Sequence, residues 1–180
     1  FNLKPGEVLP KEVKNLKYLE TFALASNDNN QIRDMELGED ICELTHLKNL
    51  VIQAYGLVKL PANFKKLGKT LENLNLVSNN FNRLSDVTKV VNARNFPHLH
   101  TLTLYAQRRT DVCINMKGLS KNGDDNYVYN NYPIGMYGNI SSDYTERQAF
   151  LSLLTWDNLR ALELSYCFLE GELPSDEDMD

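Results

Sequence analysis

The sequence predicts an α/β fold in which short strands alternate with short helical returns, and three observations predict it. Residues 71–84 carry apolar side chains at Leu71, Leu74, Leu76, Phe81 and Leu84, with Asn79 among them. A helix (period about 3.6) and a strand (period about 2) both fail over the whole stretch, whereas a short strand through Leu74 and Leu76 followed by a tight inward-folded turn fits. The same irregular template recurs, with starts near residues 19, 47, 71, 99 and 159. Each of the first three copies is led by apolar residues three apart: Val13 and Leu16, Ile41 and Leu44, Phe64 and Leu67. That spacing suits a 3-10 or short α turn that carries the chain back.

Taken in order, the first copy is Leu19, Phe22, Leu24 and Asn27, and the second is Leu47, Leu50, Ile52, Tyr55 and Leu57. The third is the stretch from Leu71. The fourth is Leu99, Leu102, Leu104 and Gln107, and the fifth is Leu159, Leu162, Leu164, Cys167 and Leu169. The starts are 28, 24, 28 and 60 residues apart, so the last interval holds one repeat plus a surplus of roughly thirty residues. The surplus falls at about 108–135, in a stretch rich in the turn formers Asn, Gly and Asp. Either it is one long insertion, or it hides a degenerate copy with a strand near Tyr127–Asn131.

Among the returns, Pro10 and Pro61 stand where the first helical position tolerates proline. Ser85 is placed to cap a helix that buries Val87, Val90 and Val91 before Pro97 stops it. Asp143 and Glu146 read as the capping box of a second helix, one that buries Phe150, Leu151 and Leu154. The fifth copy continues as Leu169-Glu170-Gly171-Glu172-Leu173-Pro174-Ser175. Comparable tails run from Met136 to Ser142 and, more loosely, from Leu3 to Pro10. Glycine in these tails permits a positive φ and close backbone approach.

The L-x-x-L-x-L-x-x-N-x-L template resembles the leucine-rich-repeat family. The L-x-G-x-[IL]-P tail is similar to the plant-type repeat, which many bacterial surface proteins share, although copies two to four depart from it. The resemblance implies a single repeat domain over 1–180. Its fold would be a right-handed leucine-rich-repeat solenoid, with a concave parallel β-sheet and short α and 3-10 helices on the convex side. It also implies a non-catalytic recognition module, secreted or attached to a cell surface, that binds a protein or a glycan. The cysteine-rich end caps of plant and animal extracellular repeat proteins are absent here, so either the source is bacterial or the caps lie outside this segment. Both ends fall inside a repeat and the chain opens on Phe1, so flanking coils or domains are expected.

In such coils the template leucines point inward and the alternate strand residues line the concave face. Those positions are small, polar and nearly uncharged. The candidate binding residues are Gln53, Asn73, Asn75, Thr101, Thr103, Tyr105 and Glu163, with Tyr166 beside them. Tyr127, Tyr129 and Tyr132 lie in the insertion, whose Tyr, Asn and Gly content suits adaptable contact; the alternative is that these rings cover the convex core. The template asparagine position holds Asn27, Tyr55, Asn79, Gln107 and Cys167, a set suited to an interior hydrogen-bond ladder. Cys167 is accordingly expected to be a buried structural thiol.

Other chemistry finds little support in the sequence. The 180 residues carry 19 Lys and Arg against 24 Asp and Glu, a net charge of −5, and no basic stripe suits nucleic acid. No apolar run reaches membrane-spanning length. Cys42, Cys113 and Cys167 are too few and too scattered for a disulfide framework or a zinc site. His98 and His100 flank Leu99 without a nearby carboxylate or cysteine to complete a metal set. Asn122 to Asn126 lacks the spacing and closing Glu of a calcium loop. Asn139-Ile140-Ser141 is a glycosylation sequon. No catalytic motif, cofactor or metal is expected. Two further readings stay open: a structural spacer or adhesin segment, and the substrate-recognition part of a larger enzyme or effector.

Overall fold

Phe22 and Leu24 alternate with Thr21, Ala23 and Ala25, a period that puts two apolar side chains on one face of an extended chain. The computed structural model describes residues 1–4, 6–26, 34–108 and 135–179. Its strands are β1 (Asn2–Leu3), β2 (Thr21–Ser26), β3 (Met35–Glu36), β4 (Asn49–Gln53), β5 (Leu57–Lys59), β6 (Asn73–Asn75), β7 (Thr101–Thr103) and β8 (Ala161–Glu163). Six of them form one open parallel sheet in the order β1-β2-β4-β6-β7-β8, and β3 pairs with β5 in a separate parallel ribbon. The ribbon had no counterpart in the sequence pattern.

Register follows the template. Phe22 pairs with Leu50 and Leu24 with Ile52, while Leu50, Leu74, Leu102 and Leu162 lie side by side across β4, β6, β7 and β8. A one-residue slip would turn every one of these side chains to the other face. The chain returns between strands through 3-10 helices at Lys11–Asn15, Glu39–Glu43 and Ala62–Lys69, and through α1 (Leu84–Thr88) and α2 (Tyr144–Leu154). Strand leucines and the apolar residues of the returns, among them Ile41, Phe64, Val87, Phe96 and Phe150, make one continuous core. At β8 the inward Leu162 and Leu164 are only partly buried.

Several local expectations need correction. Pro10 and Pro61 precede the first helical residue instead of occupying it. Leu16 is 43% exposed, although its partner Val13 is buried. The helix expected to run from Ser85 towards Pro97 is only α1, because Asn92 and Asn95 turn their amides onto the carbonyls of Thr88 and Val90 and offer the backbone an alternative to continuing. Val90 is consequently only half-buried. Ser85 lies inside α1, whose N-cap is Arg83. Asp143 does cap α2, accepting from the amides of Thr145 and Glu146, but Glu146 does not reach back to complete the box. Its carboxylate turns instead to α1 and accepts the Ser85 amide (3.3 Å) and hydroxyl. The buried stripe of α2 is Glu146, Ala149, Phe150 and Leu153; Leu151 is half-buried and Leu154 is 42% exposed.

The tail glycines behave as their sequence suggests. Gly6, Gly138 and Gly171 have φ of 74°, 99° and 113°, where a side chain is strained. A Cβ on Gly138 would stand 2.4 Å from Glu146 Cγ. The tails beginning at Met136 and Leu169 run side by side, bridged in parallel at Asn139 and Glu170. The chain leaves β7 through Gln107 and Arg108, and the Gly135 amide donates back to the Gln107 carbonyl at 2.7 Å. β7 pairs directly with β8 in the sheet. The degenerate copy with a strand near Tyr127–Asn131 falls outside the described residues, as do Asn27, Cys113, Asn122 to Asn126, Tyr127, Tyr129 and Tyr132.

Candidate functional site

The outward residues of the sheet divide into a self-satisfied row and an open end. In the first row the side chains hydrogen-bond to one another from strand to strand. Asn49 Nδ2 donates to Thr21 Oγ1 at 3.1 Å, Asn73 Nδ2 to Asn49 Oδ1 at 2.6 Å, and Thr101 Oγ1 to Asn73 Oδ1 at 2.6 Å. Parallel pairing at equal register brings these groups together. Part of the hydrogen-bonding capacity of Asn73 and Thr101 is thereby used within the face. The next row holds Ala23, Val51, Asn75, Thr103 and Glu163. Asn75 Oδ1 accepts the Val77 amide at 3.0 Å, which shapes the strand end. Gln53 and Glu163 are exposed, while Asn75, Thr103 and Tyr105 are half-buried.

Beyond the strands the chain turns inward at the template asparagine. The residue just before it takes a left-handed conformation in four copies: Ala54, Ser78, Ala106 and Tyr166 have φ of 52°, 56°, 58° and 56°. The turn aims the following side chain into the interior. Asn79 Oδ1 accepts from the amides of Tyr55, Gly56 and Leu57, each at 3.2 Å, and its Nδ2 donates to the carbonyls of Ile52 and Leu76 at 2.8 Å. Gln107 Nε2 donates to Leu76 and Leu104, and Cys167 Sγ donates to Leu104 at 2.9 Å. The expected interior ladder is therefore present from Asn79 through Gln107 to Cys167. Tyr55 departs from it, sending its hydroxyl to the Glu7 carbonyl at 3.1 Å.

Three of the copies place a small residue at the left-handed position; the fifth places Tyr166 there, and Phe168 two residues on has φ 47°. For bulky side chains this region is unusual and costs about 1–3 kcal/mol each. Burial does not offset that cost, since Tyr166 is 55% and Phe168 60% exposed. The rings gather beside β7. Tyr105 and Tyr166 lie edge to face with centroids 5.2 Å apart, and Tyr166 meets Phe168 at 6.0 Å and 80°. Gly135 allows the returning chain to pass here, because a Cβ on it would lie 3.1 Å from Phe168 Cβ. Tyr105, Tyr166 and Glu163 were anticipated on this end of the sheet and Phe168 was not. Aligning the copies would have found it, since Phe168 stands where the others have Gly56, Asn80 and Arg108.

Burial pushes the Cys42 thiol up to about 12 and the Cys167 thiol up to about 11, so both stay protonated near neutrality. His98 is exposed and His100 half-buried. Among the described residues, no three His, Cys, Asp or Glu side chains gather as a metal-binding group, and no helix is long and apolar enough to cross a membrane. Asn139 of the sequon is half-buried, its Oδ1 accepting from the Ser141 amide and hydroxyl and from the Ser142 amide. No protein-family model matches the chain, and no curated protein matches it in sequence.

Proposed function

We propose that the chain is a right-handed leucine-rich-repeat solenoid and a non-catalytic recognition module, binding a protein or a glycan across the outer face of its sheet. The observation that carries this reading is the in-register parallel sheet itself. It lines up small, nearly uncharged polar side chains over several strands and ends them in an exposed aromatic group. Repeat scaffolds use such broad faces for binding, and aromatic rings amid polar neighbours suit interface anchors. Gln53, Asn73, Asn75, Thr101, Thr103, Tyr105, Glu163 and Tyr166 form the proposed face. Tyr127, Tyr129 and Tyr132 belong to a segment whose two ends, Arg108 and Gly135, flank the aromatic end. The proposed setting is extracellular or at a cell surface.

The test is ligand capture by immobilised chain, compared between substitutions on the two sides. Tyr105→Ala with Tyr166→Ala is expected to weaken capture about tenfold or more, with the unfolding midpoint little changed. Lys65→Glu with Lys69→Glu, on an exposed part of a return helix, is expected to leave capture intact. Full capture by the tyrosine pair variant removes the reading.

A further inference from the structure

The fifth copy differs from the others in a way the turn does not require. Ala54, Ser78 and Ala106 make the same left-handed turn with small side chains, whereas Tyr166 makes it with a ring left in solvent. Phe168 repeats the anomaly two residues later. The two rings and Tyr105 stand at steep angles to one another, 71° and 80°, and so form a corner, not a flat stack. At the end of β8, three residues before Tyr166, Glu163 is exposed and makes no ion pair among the described residues. Along the chain from Trp156 to Met179, Arg160 is the sole basic residue, while Glu170, Glu172, Asp176 and Glu177 are exposed carboxylates and Asp178 pairs with Arg147.

We infer that this corner receives the cationic side chain, arginine or lysine, of a protein partner. The inference rests on the recognition reading above and assigns the chemistry of its aromatic end. Ring faces carry negative quadrupole potential and attract a cation set against them. Glu163 and the acidic segment add charge complementarity, which steers a basic partner and disfavours an acidic one. A neutral sugar would stack on the rings equally well and would donate hydroxyls to a carboxylate, but it gains no attraction from net negative charge.

The probe is the peptide acetyl-Gly-Arg-Gly-Arg-Gly-amide, titrated into the 180-residue chain with tyrosine and phenylalanine ring resonances observed by NMR. Its isostere carries citrulline in place of both arginines and is neutral. Saturable shifts at Tyr105, Tyr166 and Phe168 are expected, with the citrulline peptide about tenfold weaker. Glu163→Gln and Tyr166→Asn should each weaken the arginine peptide several-fold. Asparagine tolerates the left-handed backbone, so that variant removes the ring without disturbing the turn; an unchanged urea midpoint confirms that both variants fold. Equal binding of the two peptides overturns the inference, as does the absence of ring shifts. So do ring shifts produced by cellopentaose but not by the arginine peptide. These outcomes are separable from failure of the recognition reading. That reading stands or falls on ligand capture by the tyrosine pair variant, whatever the citrulline comparison gives.

Discussion

Asn79 shows how one side chain serves two neighbouring copies. Its carboxamide satisfies three amides of the preceding turn and two carbonyls, in a site with no solvent access. Truncation strands those groups in the interior, where each orphan costs about 1–3 kcal/mol. Asn79→Ala is expected to lose about 3 kcal/mol or more in urea unfolding followed by the fluorescence of the single Trp156. The buried thiols make a prediction of opposite character. Their folded values, about 12 for Cys42 and about 11 for Cys167, lie above the roughly 8.5 of an unfolded chain. Above about pH 9 the unfolded state therefore binds fewer protons than the folded one. Stability falls as pH rises through that window, by at most about 1.4 kcal/mol per pH unit for each thiol. Between pH 8 and 10.5 the parent should lose more than a Cys42→Ala, Cys167→Ala variant; equal losses would contradict the assignment.

At the level of elements, α1 and α2 are tied by a single carboxylate. Glu146 is 2% exposed in the first turn of α2, yet its oxygens satisfy the Ser85 amide and hydroxyl at the start of α1. Asp143, which caps α2, also pairs with Arg83 at 3.4 Å, the N-cap residue of α1. α1 thus takes N-terminal hydrogen bonds from α2, while α2 is capped by its own Asp143. Hydrogen bonds to a charged acceptor contribute about 1.5–3 kcal/mol, so Glu146→Ala should cost about that much and Ser85→Ala less. A double-mutant cycle is expected to return a coupling of about 1 kcal/mol or more; additivity would show the tie to be energetically idle. Gly68 marks another close approach, where a Cβ would meet the Asn95 carbonyl oxygen at 1.7 Å. The return helix and the segment before β7 pack there backbone to backbone.

Over the whole molecule, among the described residues, each strand of the main sheet is paired on both edges except β1 and β8. Inward leucines of β4, β6 and β7 are fully buried, while Leu162 of β8 and Leu164 just after it are not. Local opening is cheapest where few apolar contacts must be broken. Amide hydrogen exchange is expected to be slowest in β4, β6 and β7 and clearly faster in β8. Uniform protection from β4 to β8 would mean that the sheet opens only as a unit. The interior ladder should stiffen the middle, since Asn79 and Gln107 each link two successive strands by carbonyl contacts.

The sequence by itself determined the strands of the main sheet from β2 to β8, their register and the inward ladder. Each follows from a short local template in which spacing along the chain dictates which side chain faces in. It also marked Tyr105 and Glu163 as outward, because alternation in a strand needs no partner to be read, and placed Tyr166 beside them just past the strand. Tertiary structure alone decided the rest. The β3–β5 ribbon, the turn of Glu146 toward Ser85, the early end of α1 and the Asn49–Asn73–Thr101 chain of hydrogen bonds all depend on groups far apart in sequence meeting at close range. The corner made by Tyr105, Tyr166 and Phe168 is of the same kind, since its angles arise where a turn after β8 comes to lie beside the end of β7.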